Sequence, residues 1–308
     1  MKLKKPKFWV TPKISFLAIL LYPISLLILL FSYFSKTKSP KKFHIPIICI
    51  GNIYLGGTGK TPLALEIYKI TKSLGKKPAF IKKKYDYLED EIKMLKKNGT
   101  TFVNKKRIKA IELLINEKND LAILDDGFQD FTIEKKFSIL CFNQKQWIGN
   151  GLIIPSGPLR EKFSALNRAQ CVVINGKKDT EIEEKIYKVN SKIQIYYSNF
   201  KLININKFKD KKIVAFAGIG NPSNFFDLLK ENNLNVLNKI SFPDHYQFSK
   251  NDLDKLILES NNQNAILVTT EKDYCRINES YKNNIECAEV ELEINNKDKF
   301  IELLKKNI

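Results

Sequence analysis

Lys60 and Thr61 close a glycine-rich stretch, GNIYLGGTGKTP from Gly51 to Pro62, whose residue types suit the handling of a polyphosphate. Gly56, Gly57, Thr58 and Gly59 would wrap backbone N–H groups around phosphate oxygens. Lys60 would reach the β- and γ-phosphates, and the Thr61 hydroxyl would ligate Mg²⁺. The stretch departs from G-x-x-x-x-G-K-[ST] at Tyr54, where the first glycine is expected. The competing account is a plain glycine turn followed by Lys and Thr, and the flanking strand-like and helical runs weigh against it.

Other side chains of chemical interest fall in separate segments. LAILDDGFQDF (Leu121–Phe131) ends an apolar run in Asp125 and Asp126, which either hold Mg²⁺ or simply open an Asp-Gly turn. FPDHYQFS (Phe242–Ser249) carries His245 beside Asp244, just ahead of a helix that Ser249 would cap. An imidazole accepts a hydroxyl proton near neutral pH, but a lone loop histidine also serves structural ends. YDYLEDEIKML (Tyr85–Leu95) offers Glu89, Asp90 and Glu91, either as a solvated helix start or as a carboxylate that orients a histidine. Arg160 and Arg168 lie in an irregular segment, Asn150–Gln170, of a chain with only four arginines against 48 lysines. Such a choice points to a planar fork for two-point phosphate binding, with a helix cap and a surface ion pair as the plainer alternatives. VTTEKDYCRI (Val268–Ile277) sets Thr269, Thr270, Glu271, Lys272 and Asp273 at a strand end with no assigned role.

The elements that must position these residues alternate between β-rich and helical runs from residue 45 onward. That pattern predicts an α/β fold with a mainly parallel sheet. Strands are expected at Ile45–Ile50, Pro78–Ile81, Leu121–Leu124, Phe137–Phe142, Cys171–Ile174, Ile193–Tyr197, Lys212–Ala217 and Ala265–Thr269. Helices are expected at Pro62–Leu74, Lys105–Glu117, Asn221–Asn232, Lys250–Ser260 and Lys297–Lys306. A composition shift at Asn199–Asp210 marks a boundary, so the organisation reads as residues 1–40, 41–205 and 206–308: an anchor, a nucleotide-binding core, and a smaller α/β lobe contributing to a cleft.

The net charge of +19 invites a nucleic-acid partner, but it comes from a broad Lys, Asn and Ile bias without arginine forks or regularly spaced stacking aromatics. An anionic membrane surface and a phosphorylated substrate are more economical partners, and no nucleic acid is expected. The five cysteines are odd in number and widely spaced, as free thiols in a reducing compartment are.

Ile14–Phe34 is a run of 21 residues without a charge. As a helix it would extend about 30 Å, close to one hydrocarbon thickness. It is longer than a signal-peptide core and reads as a retained anchor. Lys2, Lys4, Lys5, Lys7 and Lys13 precede it and Lys36, Lys38, Lys41 and Lys42 follow, so charge sets no orientation. With Pro23 near its middle, both a spanning helix and one lying in a single leaflet stay open.

Taken in order, an apolar helix, GNIYLGGTGKTP, DDGFQ, GNGLIIPSGPLRE, AGIGNPSNFF, FPDHYQF and TTEKD make the chain resemble the tetraacyldisaccharide 4′-kinase family over residues 10 to 280 or so. That family also lacks the first glycine of the loop. The resemblance implies a P-loop NTPase-like, mainly parallel sheet flanked by helices, a second smaller α/β lobe and an N-terminal membrane helix. It implies transfer of the γ-phosphoryl of ATP to the 4′-hydroxyl of tetraacyldisaccharide 1-phosphate in lipid A biosynthesis, with ATP and Mg²⁺ as cofactors. The expected place is the cytoplasmic face of the inner membrane.

Carried over residue by residue, the resemblance gives Lys60 the phosphates, Thr61, Asp125 and Asp126 the metal, and His245 with Asp90 the deprotonation of the hydroxyl. Asp90 is matched by its spacing to Asp125. Two departures stand out: KKKYD (82–86) replaces the family's Ser-Arg-Gly-Tyr-Gly, and DDGFQ is followed by Asp130 where the family has His. A membrane-tethered NTPase switch is the rival from another class. A nucleic-acid-binding ATPase is a third.

Overall fold

The computed structural model describes residues 6–35, 39–85 and 89–308; Lys2, Lys4, Lys5, Lys36, Lys38 and Asp86 lie outside the described residues. In chain order the strands are β1 (Ile47–Gly51), β2 (Pro78–Lys83), β3 (Thr101–Asn104), β4 (Leu121–Asp125), β5 (Phe137–Asn143), β6 (Cys171–Asn175), β7 (Gln194–Leu202), β8 (Lys212–Ala217), β9 (Asn235–Ser241), β10 (Ile266–Thr270), β11 (Ile285–Ala288) and β12 (Val290–Ile294). The α-helices are α1 (Lys7–Val10), α2 (Phe16–Ser35), α3 (Lys60–Ser73), α4 (Glu89–Asn98), α5 (Arg107–Asn116), α6 (Thr180–Val189), α7 (Pro222–Glu231), α8 (Lys250–Asn262), α9 (Glu271–Tyr274) and α10 (Lys297–Lys305).

Every residue of β1, β4 and β5 is buried, as expected of parallel strands covered on both faces. They sit in the middle of an eight-stranded sheet of order β12-β7-β6-β5-β1-β4-β2-β3. The pairs from β3 through β7 are all parallel. A second sheet, β11-β10-β8-β9, is parallel throughout. The chain forms two compact units, the larger drawing on Leu3–Lys84, Gly99–Asn199 and Glu293–Ile308, the smaller on Tyr85–Asn98 and Phe200–Leu292. Chain order and unit membership therefore differ in two places. The segment carrying α4 belongs to the smaller unit, and α10 belongs to the larger.

Several boundaries move for simple reasons. β1 starts at Ile47 and not Ile45 because Pro46 has no N–H to give the ladder. α3 starts at Lys60 and not Pro62, since Pro62 falls in the first turn, where a missing N–H costs nothing. The strands not foreseen are short or polar: β3 has four residues, and β9 (NVLNKIS), like β12 (VELEI), carries polar side chains. α6 was also not foreseen, although Asp179 caps it by accepting from the Ile182 N–H. Ser249 caps α8 in a reciprocal box with Asp252, as the sequence predicts.

α2 carries Pro23 inside it and leaves most of its described apolar side chains exposed, among them Phe16 (78%) and Phe31 (74%). Ala18 is buried, and so is Ser25. Its buried hydroxyl donates to the Ile153 carbonyl and pairs with the Ser156 hydroxyl, both at 2.9 Å, and accepts from the Ser156 N–H. Trp9 adds an indole bond to the Pro155 carbonyl. Among the described residues no helix is long and apolar enough to cross a membrane. Cys49, Cys141 and Cys171 are buried free thiols, and burial pushes Cys49 up to about 11.

Candidate functional site

The glycine-rich loop leaves the carboxyl end of β1, where open parallel sheets take their ligands. Gly56 (φ 94°) and Gly59 (φ 92°) hold left-handed conformations, and Gly59 stands at the N-cap of α3, so the first turn of that helix opens toward the loop. Tyr54 needs no such freedom. Its backbone bridges Leu159 in an antiparallel contact, and its ring is fully buried in the core beneath the loop. The position is thus a strand-like support, which explains why a large side chain can replace glycine. Asn52 braces the loop from within through a 2.9 Å bond from its amide to the Thr58 hydroxyl.

Thr61 Oγ1 donates to Asp125 Oδ2 at 3.2 Å. Register explains the meeting: Asp125 pairs with Ile50 at the end of β1, one residue before Gly51. The same Oδ2 accepts from Lys82 Nζ at 2.6 Å, with Lys82 2% and Asp125 0% exposed. Asp125 Oδ1 is buried and takes no hydrogen bond from the protein. A hydroxyl and a buried, unshared carboxylate oxygen on one small patch are donors that suit Mg²⁺. Among the described residues no three His, Cys, Asp or Glu side chains converge as a metal cage. A magnesium ion there would take its other ligands from phosphate and water.

Asp126, the other carboxylate expected at the metal, meets cationic side chains. It is held at φ 59°, a costly conformation for a residue with a Cβ. Three cationic side chains fix it: Arg160 Nη1 at 2.9 Å and Lys60 Nζ at 3.8 Å reach its carboxylate, and Arg107 Nη2 donates to its carbonyl at 2.6 Å. The other arm of Arg107 pairs with Asp130 at 3.1 Å. Burial raises the Asp130 carboxyl, but hydrogen bonds from Thr132 and the Arg107 charge outweigh it and leave the group below its ordinary value. An aspartate following DDGFQ therefore has a partner of its own. Arg168 forks onto Glu161 with two 2.9 Å bonds and stacks over Phe128 and Phe131.

In the smaller unit α4 brings Asp90 to the loop after β9. His245 Nδ1 lies 3.1 Å from Asp90 Oδ2. His245 is itself left-handed (φ 56°), pinned by its N–H to the Gly218 carbonyl. Arg276, only 4% exposed, organises this group: Nε is 3.2 Å from Asp90 Oδ2, Nη1 donates to the Tyr246 carbonyl, and Nη2 reaches the Gly218 carbonyl and Asp273 Oδ1. Burial alone would raise the Asp90 carboxyl. The His245 hydrogen bond and the charges of Lys272 and Arg276 hold it below the usual range.

The residues expected from the sequence thus gather in two sets. Gly56, Gly57, Thr58, Gly59, Lys60 and Thr61 join Asp125, Asp126 and Arg160 in the larger unit, and Asp90 joins His245 in the smaller. Arg168 holds Glu161 directly and connects to Arg160 only through Glu161 and Gln129. Lys82, Arg107 and Arg276 were missed, and Lys272 was placed at its strand end without a role. The signals were a lysine that directly continues an apolar strand run, and the rarity of arginine. All four arginines occupy multi-point or stacked positions that a lysine cannot fill.

The family model for tetraacyldisaccharide-1-P 4′-kinase matches residues 17–308. A tetraacyldisaccharide 4′-kinase of Pelagibacter ubique is 44% identical over 317 residues, covering 100% of both chains. Its Rickettsia typhi counterpart is 38% identical over 320 residues, covering 96% of each. Among solved structures, the Aquifex aeolicus LpxK in complex with ATP shares the fold with a TM-score of 0.72 at 22% identity, covering 94% of this chain and 99% of that one.

Proposed function

Because the chain belongs to the tetraacyldisaccharide 4′-kinase family, we propose that it moves the γ-phosphoryl of ATP to the 4′-hydroxyl of tetraacyldisaccharide 1-phosphate in lipid A biosynthesis. The observation that carries this reading is the His245–Asp90 pair at 3.1 Å in a chain that also holds a phosphate loop. A nucleotide switch has no use for a hydroxyl-activating base, so the pair disfavours that rival.

Phosphoryl transfer asks mainly for positioning and charge neutralisation. The loop N–H groups and Lys60 hold the β- and γ-phosphates. Thr61 Oγ1 and Asp125 Oδ1 would hold Mg²⁺, which supplies charge neutralisation at the phosphate oxygens when bound. Lys82 occupies Asp125 Oδ2, so Oδ1 is the oxygen that would hold a metal. Asp126 keeps Lys60 and Arg160 aligned, a role distinct from direct ligation. His245 Nε2 takes the proton of the acceptor hydroxyl, and Nδ1–H donates to Asp90, whose charge stabilises the imidazolium that forms. Arg160, through its loop, and Arg168 are candidates for the lipid's 1-phosphate.

The exposed apolar face of α2 supports association with the cytoplasmic face of the inner membrane, where lysines would meet anionic headgroups. Flotation with anionic vesicles tests this: replacing Leu17, Leu20 and Leu27 by Ser should release the protein, and retention would argue against α2 as the contact. For the chemistry, Lys60→Ala and His245→Ala should each abolish phosphoryl transfer while vesicle binding persists. Near-native activity in either variant would remove the role given to that residue.

A further inference from the structure

TTEKD was the motif left without a role, and its lysine ends at the base. Thr270 caps the short turn α9, and the Asp273 carboxylate inside that turn accepts the Gly218 N–H at 3.0 Å, so the backbone carrying Lys272 is fixed to the end of β8. From there Lys272 Nζ lies 3.0 Å from Glu91 Oε1, 3.3 Å from His245 Nε2, 3.7 Å from Asp244 Oδ1 and 3.9 Å from Asp90 Oδ2.

An ammonium has three donors and no acceptor. Facing Nε2, it can only donate, which makes Nε2 the lone-pair nitrogen and puts the ring proton on Nδ1, against Asp90. That is the tautomer a general base requires. Burial works against the Lys272 charge, but Glu91, Asp244 and Asp90 outweigh it and hold the ammonium above its ordinary value, so it stays charged through the neutral range. The groups facing His245 are Asp90 on α4, Asp244 beside it, Lys272 on α9, and Arg276, which touches Asp90 from behind.

We propose that Lys272 is a positioning residue of the kinase reaction: it caps Nε2 of His245 and so holds the ring proton on Nδ1, against Asp90, until the acceptor hydroxyl takes the ammonium's place. When the hydroxyl arrives, Lys272 falls back on Glu91. The O–H proton then passes to Nε2, the hydroxyl oxygen attacks the γ-phosphorus, and the bond to the β-phosphate oxygen breaks with ADP as leaving group. The proposal rests on His245 being the base.

The test uses the full chain with ¹⁵N-labelled histidine. It has only two histidines, and His44→Gln identifies the His245 signals. The expected wild-type spectrum shows an unprotonated Nε2 that accepts a hydrogen bond and a protonated Nδ1. Lys272→Met should shift the Nε2 resonance toward a free lone pair and lower kinase activity about tenfold. Lys272→Arg, which keeps the charge, should restore both. A ring proton on Nε2 in the wild type overturns the proposal and needs no variant to fold. So does a Lys272→Met enzyme that loses activity with an unchanged histidine spectrum. Full activity in His245→Ala would instead overturn the assignment of the base, and the spectrum would still report on the Lys272 contact.

Discussion

Lys82→Met offers a sharp test of how the larger unit holds its metal-facing carboxylate. The ion pair it breaks is 2.6 Å long and all but sealed from water at both ends. Methionine keeps most of the volume but leaves Asp125, among the described residues, with only the Thr61 hydroxyl as a partner for a buried charge. Removing one member of such a pair costs about 3–5 kcal/mol. In a unit of this size each kcal/mol moves the melting temperature by about 2–4 °C, so a fall of about 6–20 °C is expected in buffer with a chelator. Adding Mg²⁺ and ADP should narrow the gap, because the metal supplies the missing positive charge. Lys82→Met combined with Asp125→Asn should melt higher than Lys82→Met alone, since no uncompensated charge remains. Calorimetry or a thermal-shift assay on the three proteins gives the answer. A single variant melting within about 2 °C of wild type would refute the reasoning.

Further outcomes follow from other contacts. Ser25→Ala strips the buried partners Ile153 and Ser156 of a hydroxyl and should cost about 1–3 kcal/mol, read as a lower denaturation midpoint. Arg276→Lys cannot serve Asp90, Asp273, Tyr246 and Gly218 together, and should destabilise the smaller unit and cut phosphoryl transfer sharply, measured by hydrogen exchange and kinase assay. Because the folded Asp130 carboxyl titrates below its ordinary value of 3.8, its contribution to stability is complete above that value and is lost as the pH falls through the lower folded value. Asp130→Asn should therefore flatten the acid side of a stability–pH curve while costing stability at neutral pH.

Much of this was legible from residue order because the phosphate loop, the strand-end aspartates and the parallel strands are local patterns. GGTGKT between an apolar run and a helical one can be read without tertiary information, and Asp125 follows from the strand it ends. The Asp90–His245 contact joins residues 155 positions apart. No periodicity reports such a meeting, and the family likeness alone suggested it. Lys82 looked like one more lysine in a run of three. Only the burial of β2 and the register with β4 reveal that it points at Asp125. β9 and β12 were hidden by polar side chains, which a strand can carry where it is not covered on both faces.

The central claim, that the acceptor is a sugar hydroxyl on a lipid, is tested most directly by the product. The purified chain is incubated with γ-labelled ATP, Mg²⁺ and tetraacyldisaccharide 1-phosphate in mixed micelles, and the lipid is mapped by tandem mass spectrometry. A second phosphate on the 4′ position, absent with Lys60→Ala, is the expected result. Label released only as inorganic phosphate, with the lipid unchanged, would contradict it.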